Sequence, residues 1–68
     1  MDPNFVVIAR KGKPDFVCRI DGFADRLYIE SLRQRIADGQ TGQVTVAFAG
    51  GMFVGRIEDI TDIRAEAR

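Results

Sequence analysis

Residues 43–60, QVTVAFAGGMFVGRIEDI, decide the fold because they predict a β-hairpin that is apolar on one face. Large apolar residues alternate with small or polar ones along its first half, which is the period-two pattern of a half-buried strand. Gly50-Gly51 predicts a two-residue turn, since a type I′ turn requires positive φ at both central positions. This turn would fix the pairing of strands over residues 43–49 and 52–60. The inward face would then consist of Val44, Val46, Phe48, Phe53 and Ile57.

A second predicted hairpin lies nearer the start of the chain. β-branched and aromatic residues predict strands over residues 4–10 and 15–20. A turn centred on Gly12-Lys13 would join them and set which side chains share a face. With that turn, the inward face would consist of Phe5, Val7, Ala9, Phe16, Cys18 and Ile20.

One helix is predicted between the two hairpins, over residues 23–38. Its apolar residues recur at helical spacing and form one stripe, and Gly39 is placed to end the helix in a left-handed conformation. The last residues, 60–68, predict a frayed tail or a short C-terminal helix. The stripe consists of Tyr28, Ile29, Leu32 and Ile36.

These elements predict a single small α+β domain over residues 1–68, in the order β-β-α-β-β. We expect one four-stranded, mostly antiparallel sheet with the helix packed on one face. The order resembles the topology of the β-grasp roll of ubiquitin-like and protein-G-like domains, which implies that the first and last strands lie side by side at the centre of the sheet. An alternative is a dimer of paired hairpins with the helices outside.

The composition narrows the classes of function. Ten basic and ten acidic residues give a formal net charge of zero, whereas dedicated nucleic-acid binders usually carry a basic excess. A single cysteine, Cys18, allows no internal disulfide, and without histidine the chain has a poor ligand set for zinc. We therefore expect no metal and no cofactor. No signal peptide or membrane span is predicted, and the lone thiol suits a reducing, cytoplasmic location.

The predicted outer face of the sheet is the most informative feature. One helix covers only one side, yet the other side is also apolar at its centre, with arginines at its margin. Exposed apolar patches of this kind mark interaction sites. An alternative is that the tail folds back over this face, with Ile60 and Ile63 as anchors. The predicted partner-binding residues are Val6, Ile8, Arg10, Val17, Arg19, Met52, Val54 and Arg56.

The sequence thus predicts a small non-catalytic protein–protein interaction module. It would self-associate as a homodimer, or act as an adaptor, an inhibitor or an assembly subunit. The alternative is a nucleic-acid-binding domain that uses a basic rim formed by Arg10, Lys11, Lys13, Arg19 and Arg56. An enzyme is not expected, because Cys18 is predicted to be buried and no base or metal site accompanies it.

Overall fold

The computed structural model describes residues 3–68, and within this range the chain forms five strands and one α-helix. The order of the elements follows the predicted hairpin–helix–hairpin pattern, with a fifth strand at the end. The elements are β1 (Phe5–Arg10), β2 (Lys13–Arg19), α1 (Gly22–Ala37), β3 (Gln43–Phe48), β4 (Gly51–Arg56), a 3-10 turn (Ile57–Asp59) and β5 (Ile60–Glu66).

The strands form two sheets rather than one. The first sheet has three antiparallel strands in the order β2-β1-β5, and the second contains only β3 and β4. The α+β class is confirmed, whereas the single four-stranded sheet is wrong. The difference arises because residues 60–66, expected in a tail, form a full strand along the free side of β1. Asn4 and Arg68 close this pairing, since the Arg68 N–H donates to Asn4 Oδ1 at 2.9 Å.

The first hairpin differs from the prediction by one residue. Its turn is formed by Lys11 and Gly12, and Val6 lies opposite Cys18. Gly12 has a φ of 71°, which glycine adopts without steric cost, and a bulge interrupts the pairing between Ile8 and Arg10. A one-residue shift moves every side chain of a strand to the opposite face. The register thus turns Val6 and Ile8 towards the core.

The second hairpin keeps its predicted faces although its turn differs. Ala49 and Gly50 form the turn, and Phe48 lies opposite Gly51 instead of Phe53. Because this shift is two residues, the same side chains face inward. No positive φ occurs at Gly50 or Gly51, so the predicted type I′ turn is wrong.

Gly50 joins the two sheets by a close approach of backbone to backbone. Its N–H donates to the carbonyl of Arg19 at 2.9 Å. A Cβ atom at this position would lie 2.7 Å from the Cβ of Arg19 and 2.8 Å from its backbone nitrogen. Glycine is therefore needed here for the contact between β2 and the β3–β4 turn, and not for the conformation of the turn itself.

A buried carboxylate also connects the start of α1 to the β3–β4 turn. Asp25, in the first turn of α1, is only 5% exposed, and its Oδ2 accepts the N–H of Asp21 at 2.9 Å and that of Ala49 at 3.0 Å. Buried polar groups are costly unless they are paired, and this carboxylate satisfies two backbone donors at once. The start of α1 and the β3–β4 turn are thereby held together.

The core lies between the two sheets and α1. The rings of Phe16 and Phe53 meet edge to face at a centroid distance of 5.3 Å, and so connect β2 with β4. None of the helical segments in residues 3–68 has the length and apolar character that a membrane crossing requires. The buried cluster consists of Val6, Ile8, Cys18, Ile20, Ile29, Leu32, Val44, Phe48, Phe53, Ile57, Ile60 and Ile63.

Replacing Gly50 by alanine should destabilise the fold by about 1–3 kcal/mol, the usual cost of forcing an extra methyl group into a packed contact. Gly51→Ala is the matched control, because a Cβ there would meet only Cys18 Sγ, at 3.5 Å. Urea unfolding of both variants measures the difference in free energy. Equal stability of the two variants would contradict the close approach.

Asp25→Ala should lower the free energy of unfolding by about 3 kcal/mol, because two backbone N–H groups lose a charged acceptor. Asp21→Ala serves as the control, since the Asp21 side chain makes no capping hydrogen bond to α1. Thermal unfolding followed by circular dichroism compares the two. A loss of the same size in both variants would show that the Asp25 contact is not special.

Candidate interaction surface

The structure divides the predicted partner-binding residues between the core and the surface. Val6 and Ile8 are fully buried, so their placement on the outer face is wrong, as the one-residue shift of the first hairpin explains. Val17, Met52 and Val54 are 41%, 59% and 51% exposed. The predicted face is thus reduced to residues of β2 and β4.

A layer of charged side chains lies on the outer face of the three-stranded sheet. Arg64 in β5 donates to Asp62 at 2.9 Å and to Glu66 at 2.7 Å. The arginine lowers the pKa of the Glu66 carboxyl, chiefly through this hydrogen bond. Val7, in the central strand, lies opposite Arg64 and is buried. The long stem of an arginine can cover apolar surface while its charged end stays in water.

The guanidinium of Arg68 extends this layer along the sheet. It lies 5.9 Å from the centre of the Phe5 ring and donates to Glu66 Oε2 at 3.1 Å. The C-terminal residues thus extend this sheet as an edge strand instead of folding over its outer face, and Ile60 and Ile63 are buried in the core.

The outer face of β3 and β4 keeps an exposed apolar patch. Ala47 lies opposite Met52, and Thr45 lies opposite Val54, all four on the side away from the core. We call Ala47, Met52 and Val54 the hairpin patch. Methionine and arginine are enriched at protein interfaces, and Arg56 lies on the same face at the end of β4. This arrangement resembles the predicted docking surface, on a smaller scale.

The three predicted rim arginines differ in their surroundings. Arg10 packs inward: its guanidinium lies 5.7 Å from the centre of the Phe53 ring and donates to the Pro14 carbonyl at 2.9 Å, while its Nε is buried without a hydrogen-bond partner among residues 3–68. Arg56 donates to Glu58 Oε2 at 2.7 Å. Arg19 is exposed. The three arginines therefore do not form a continuous rim of free cations, whereas Lys11 and Lys13 of the predicted rim are exposed.

Glu58 connects the 3-10 turn to two other parts of the chain. One carboxylate oxygen accepts the N–H of Gly42 at 2.8 Å, and the other accepts Arg56 Nε. The backbone N–H of Gly42 is the main cause that lowers the pKa of Glu58 to about 2, followed by the N–H of Glu58 itself and by Arg56. The charged carboxylate thus stabilises the end of the β3–β4 hairpin.

A second exposed apolar pair lies on α1, outside the surface predicted from the sequence. Phe23 and Leu27 are 76% and 51% exposed and lie one helical turn apart. Both fall outside the predicted stripe, which was the only available signal. Tyr28, expected in that stripe, is half-exposed, and its ring contacts Phe48 edge to face at 6.5 Å.

A groove of about 310 Å³ separates α1 from β3. Both apolar and polar side chains line it. The lining residues are Tyr28, Ser31, Leu32, Arg35, Val44, Thr45, Val46 and Ala47.

The cysteine and the acidic side chains that could carry chemistry are engaged in contacts within the fold. Cys18 is buried, and burial raises the pKa of its thiol, which donates to the Arg19 carbonyl at 3.2 Å. The carboxylates of Glu58 and Asp62 are held by arginines of their own strands and turns. In residues 3–68, no three His, Cys, Asp or Glu side chains converge as metal ligands would.

The comparisons with known proteins leave the family open. No protein-family model, curated protein or solved structure matches this chain. Its function must therefore be inferred from the exposed hairpin patch, the helix pair and the open groove.

Glu58→Gln should lower the melting temperature at neutral pH, because the amide cannot replace the charged acceptor of Gly42 and Arg56. The pKa of Glu58 in the folded protein, about 2, lies below its ordinary value of 4.5. Its contribution is therefore complete above about pH 4.5 and is lost as the pH falls towards 2.

The melting temperatures of the wild type and Glu58→Gln should accordingly converge between these two pH values. Glu30→Gln is the control, since Glu30 is an exposed carboxylate on α1 that lies 3.7 Å from Arg33. A constant difference between wild type and Glu58→Gln from pH 7 to about pH 2 would refute the assignment.

Proposed function

We propose that this protein is a small non-catalytic protein–protein interaction module and that the hairpin patch is its docking surface. The observation that carries the proposal is the exposure of Met52 and Val54 on a two-stranded sheet whose other face is buried. A sheet face in water is ordinarily polar, so an apolar one favours a partner.

The proposed partner is a second copy of the chain. With a formal net charge of zero, two copies do not repel each other over long distances. A chain of 68 residues has a small core, and domains of this size often gain stability by oligomerisation. An adaptor, inhibitor or assembly role with another protein would use the same surface. We place the protein in the cytoplasm, because a single buried thiol suits a reducing compartment.

Nucleic-acid binding, the alternative from the sequence, has weaker support. It requires cations free to contact phosphates, and steep dependence on salt would follow from such contacts. Arg10 packs on Phe53, and the charge of Arg56 is balanced by Glu58. These contacts favour the hairpin patch, with its apolar side chains, over the arginines as the binding determinant.

Val54→Asp should weaken self-association about tenfold or more, because a charge in an apolar contact has to be desolvated when the surfaces meet. Sedimentation equilibrium over a series of protein concentrations measures the effect. Thr41→Asp is the control: it adds the same charge at an exposed position outside both β3 and the hairpin patch. The fold should survive both changes, since neither side chain lies in the core.

Two results would overturn the docking role of the hairpin patch. In the first, the wild type stays monomeric at every concentration and binds no other protein whose binding Val54→Asp would abolish. The other is equal association of Val54→Asp and Thr41→Asp.

A further inference from the structure

The free edge of β3 carries backbone groups that are directed outward. The N–H of Ile57 donates to the carbonyl of Gly42 at 2.9 Å, which fixes the phase of the β3–β4 ladder. Antiparallel pairs alternate between hydrogen-bonded and non-hydrogen-bonded, so the even-numbered residues of β3 bond to β4. The odd-numbered residues, Gln43, Thr45 and Ala47, therefore direct their N–H and C=O groups away from β4.

These outward groups are unpaired over most of the edge. The edge is closed only beyond its C-terminal end, where the Ala49 N–H donates to Asp25. Within residues 3–68, the backbone groups of Thr45 and Ala47 that point outward have no hydrogen-bond partner. The groove between α1 and β3 leaves room beside them. An extended backbone is the chemical group that matches such a row of alternating donors and acceptors.

The other sheet edges are blocked in ways that β3 is not. The side chain of Arg33 on α1 donates to the carbonyl of Ile63 at 3.1 Å and so occupies the edge of β5. Pro14 lies in β2, and the Arg19 carbonyl of that strand is taken by Gly50. Charged residues also lie in β2, β4 and β5, and charges and proline are the usual means by which edge strands avoid pairing. The sequence of β3, QVTVAF, contains neither.

We propose that β3 pairs antiparallel with β3 of a second copy, on a two-fold axis through Thr45. This register places Thr45 opposite its own copy and Gln43 opposite Ala47, so every outward N–H and C=O finds a partner. Within the paired strands no like charges face each other, because β3 is uncharged. On the inner side, Val44 comes to lie beside Val46 of the second copy, next to the groove lined by Tyr28 and Leu32.

The paired strands give a continuous four-stranded sheet, β4-β3-β3-β4. The outer face of that sheet carries both hairpin patches side by side, since cross-strand neighbours point to the same face. The edge contact is separate from docking by the face of the hairpin. It holds or fails independently of the proposed function, because it depends on backbone groups and not on Met52 or Val54.

Amide hydrogen exchange tests the edge contact without any substitution. At about 1 mM protein, the amides of Thr45 and Ala47 should exchange at least tenfold more slowly than at about 10 μM, because they become hydrogen-bonded in the dimer. The amide of Val46 is the internal control, since it bonds to β4 at every concentration. Equal rates for Thr45 and Ala47 at both concentrations would overturn the proposal.

Substitution at the symmetry axis provides the second test, in the Val54→Asp background, where the hairpin patch no longer docks. Thr45→Pro removes an outward N–H from both copies, and an edge strand accepts proline where its N–H faces away from the ladder. The dimer should weaken at least tenfold, whereas Thr45→Val should leave it unchanged. If Thr45→Pro fails to fold, Ala47→Pro replaces it, because it also removes an outward N–H from each copy at an exposed position of the edge. Dimers of equal strength in all of these variants would place the contact elsewhere.

Discussion

The structure depends on one junction at which three elements meet within hydrogen-bonding distance. Gly50 touches the backbone of Arg19, and Asp25 binds the adjacent N–H of Ala49. The three-stranded sheet, the hairpin and the helix share no continuous ladder, so this junction fixes their relative orientation. A buried carboxylate at such a place is costly by itself, and its two backbone donors offset that cost. The core and the groove beside β3 both follow from this geometry.

The sequence predicts the elements well because each has a clear period. Alternation in residues 43–49 and helical spacing in residues 23–38 lead to β3 and α1 within one residue at most boundaries. The registers of the strands are harder to predict from the sequence. Along FVVIAR, both faces of β1 are apolar, so a shift of one residue exchanges one apolar set for another and the pattern cannot choose between them. The bulge beside Arg10 is a further feature that no local signal announces.

The same ambiguity explains which of the predicted surface residues lie on the outer face of the structure. Met52 and Val54 lie on the outer face as expected, because the two-residue shift of their hairpin preserves the faces. Val6 and Ile8 lie in the core, because the one-residue shift of the first hairpin does not. The fifth strand was missed because Ile60 and Ile63 are three residues apart, a spacing more typical of a helix than of a strand. β5 forms a strand because it pairs with the free edge of β1, which is a tertiary effect.

The pairing of β1 with β5 also sets the time at which this domain can fold. β1 is the central strand of its sheet, yet one of its two neighbours is made by residues 60–66, which are far from β1 in the sequence. Contacts between distant parts of a chain carry a large entropy of loop closure and form slowly. During translation, the apolar strand β1 can pair only with β2 until residues 60–66 have left the ribosome. Until then one side of β1 lacks its partner strand, and such an unpaired edge makes a partly folded chain prone to aggregation.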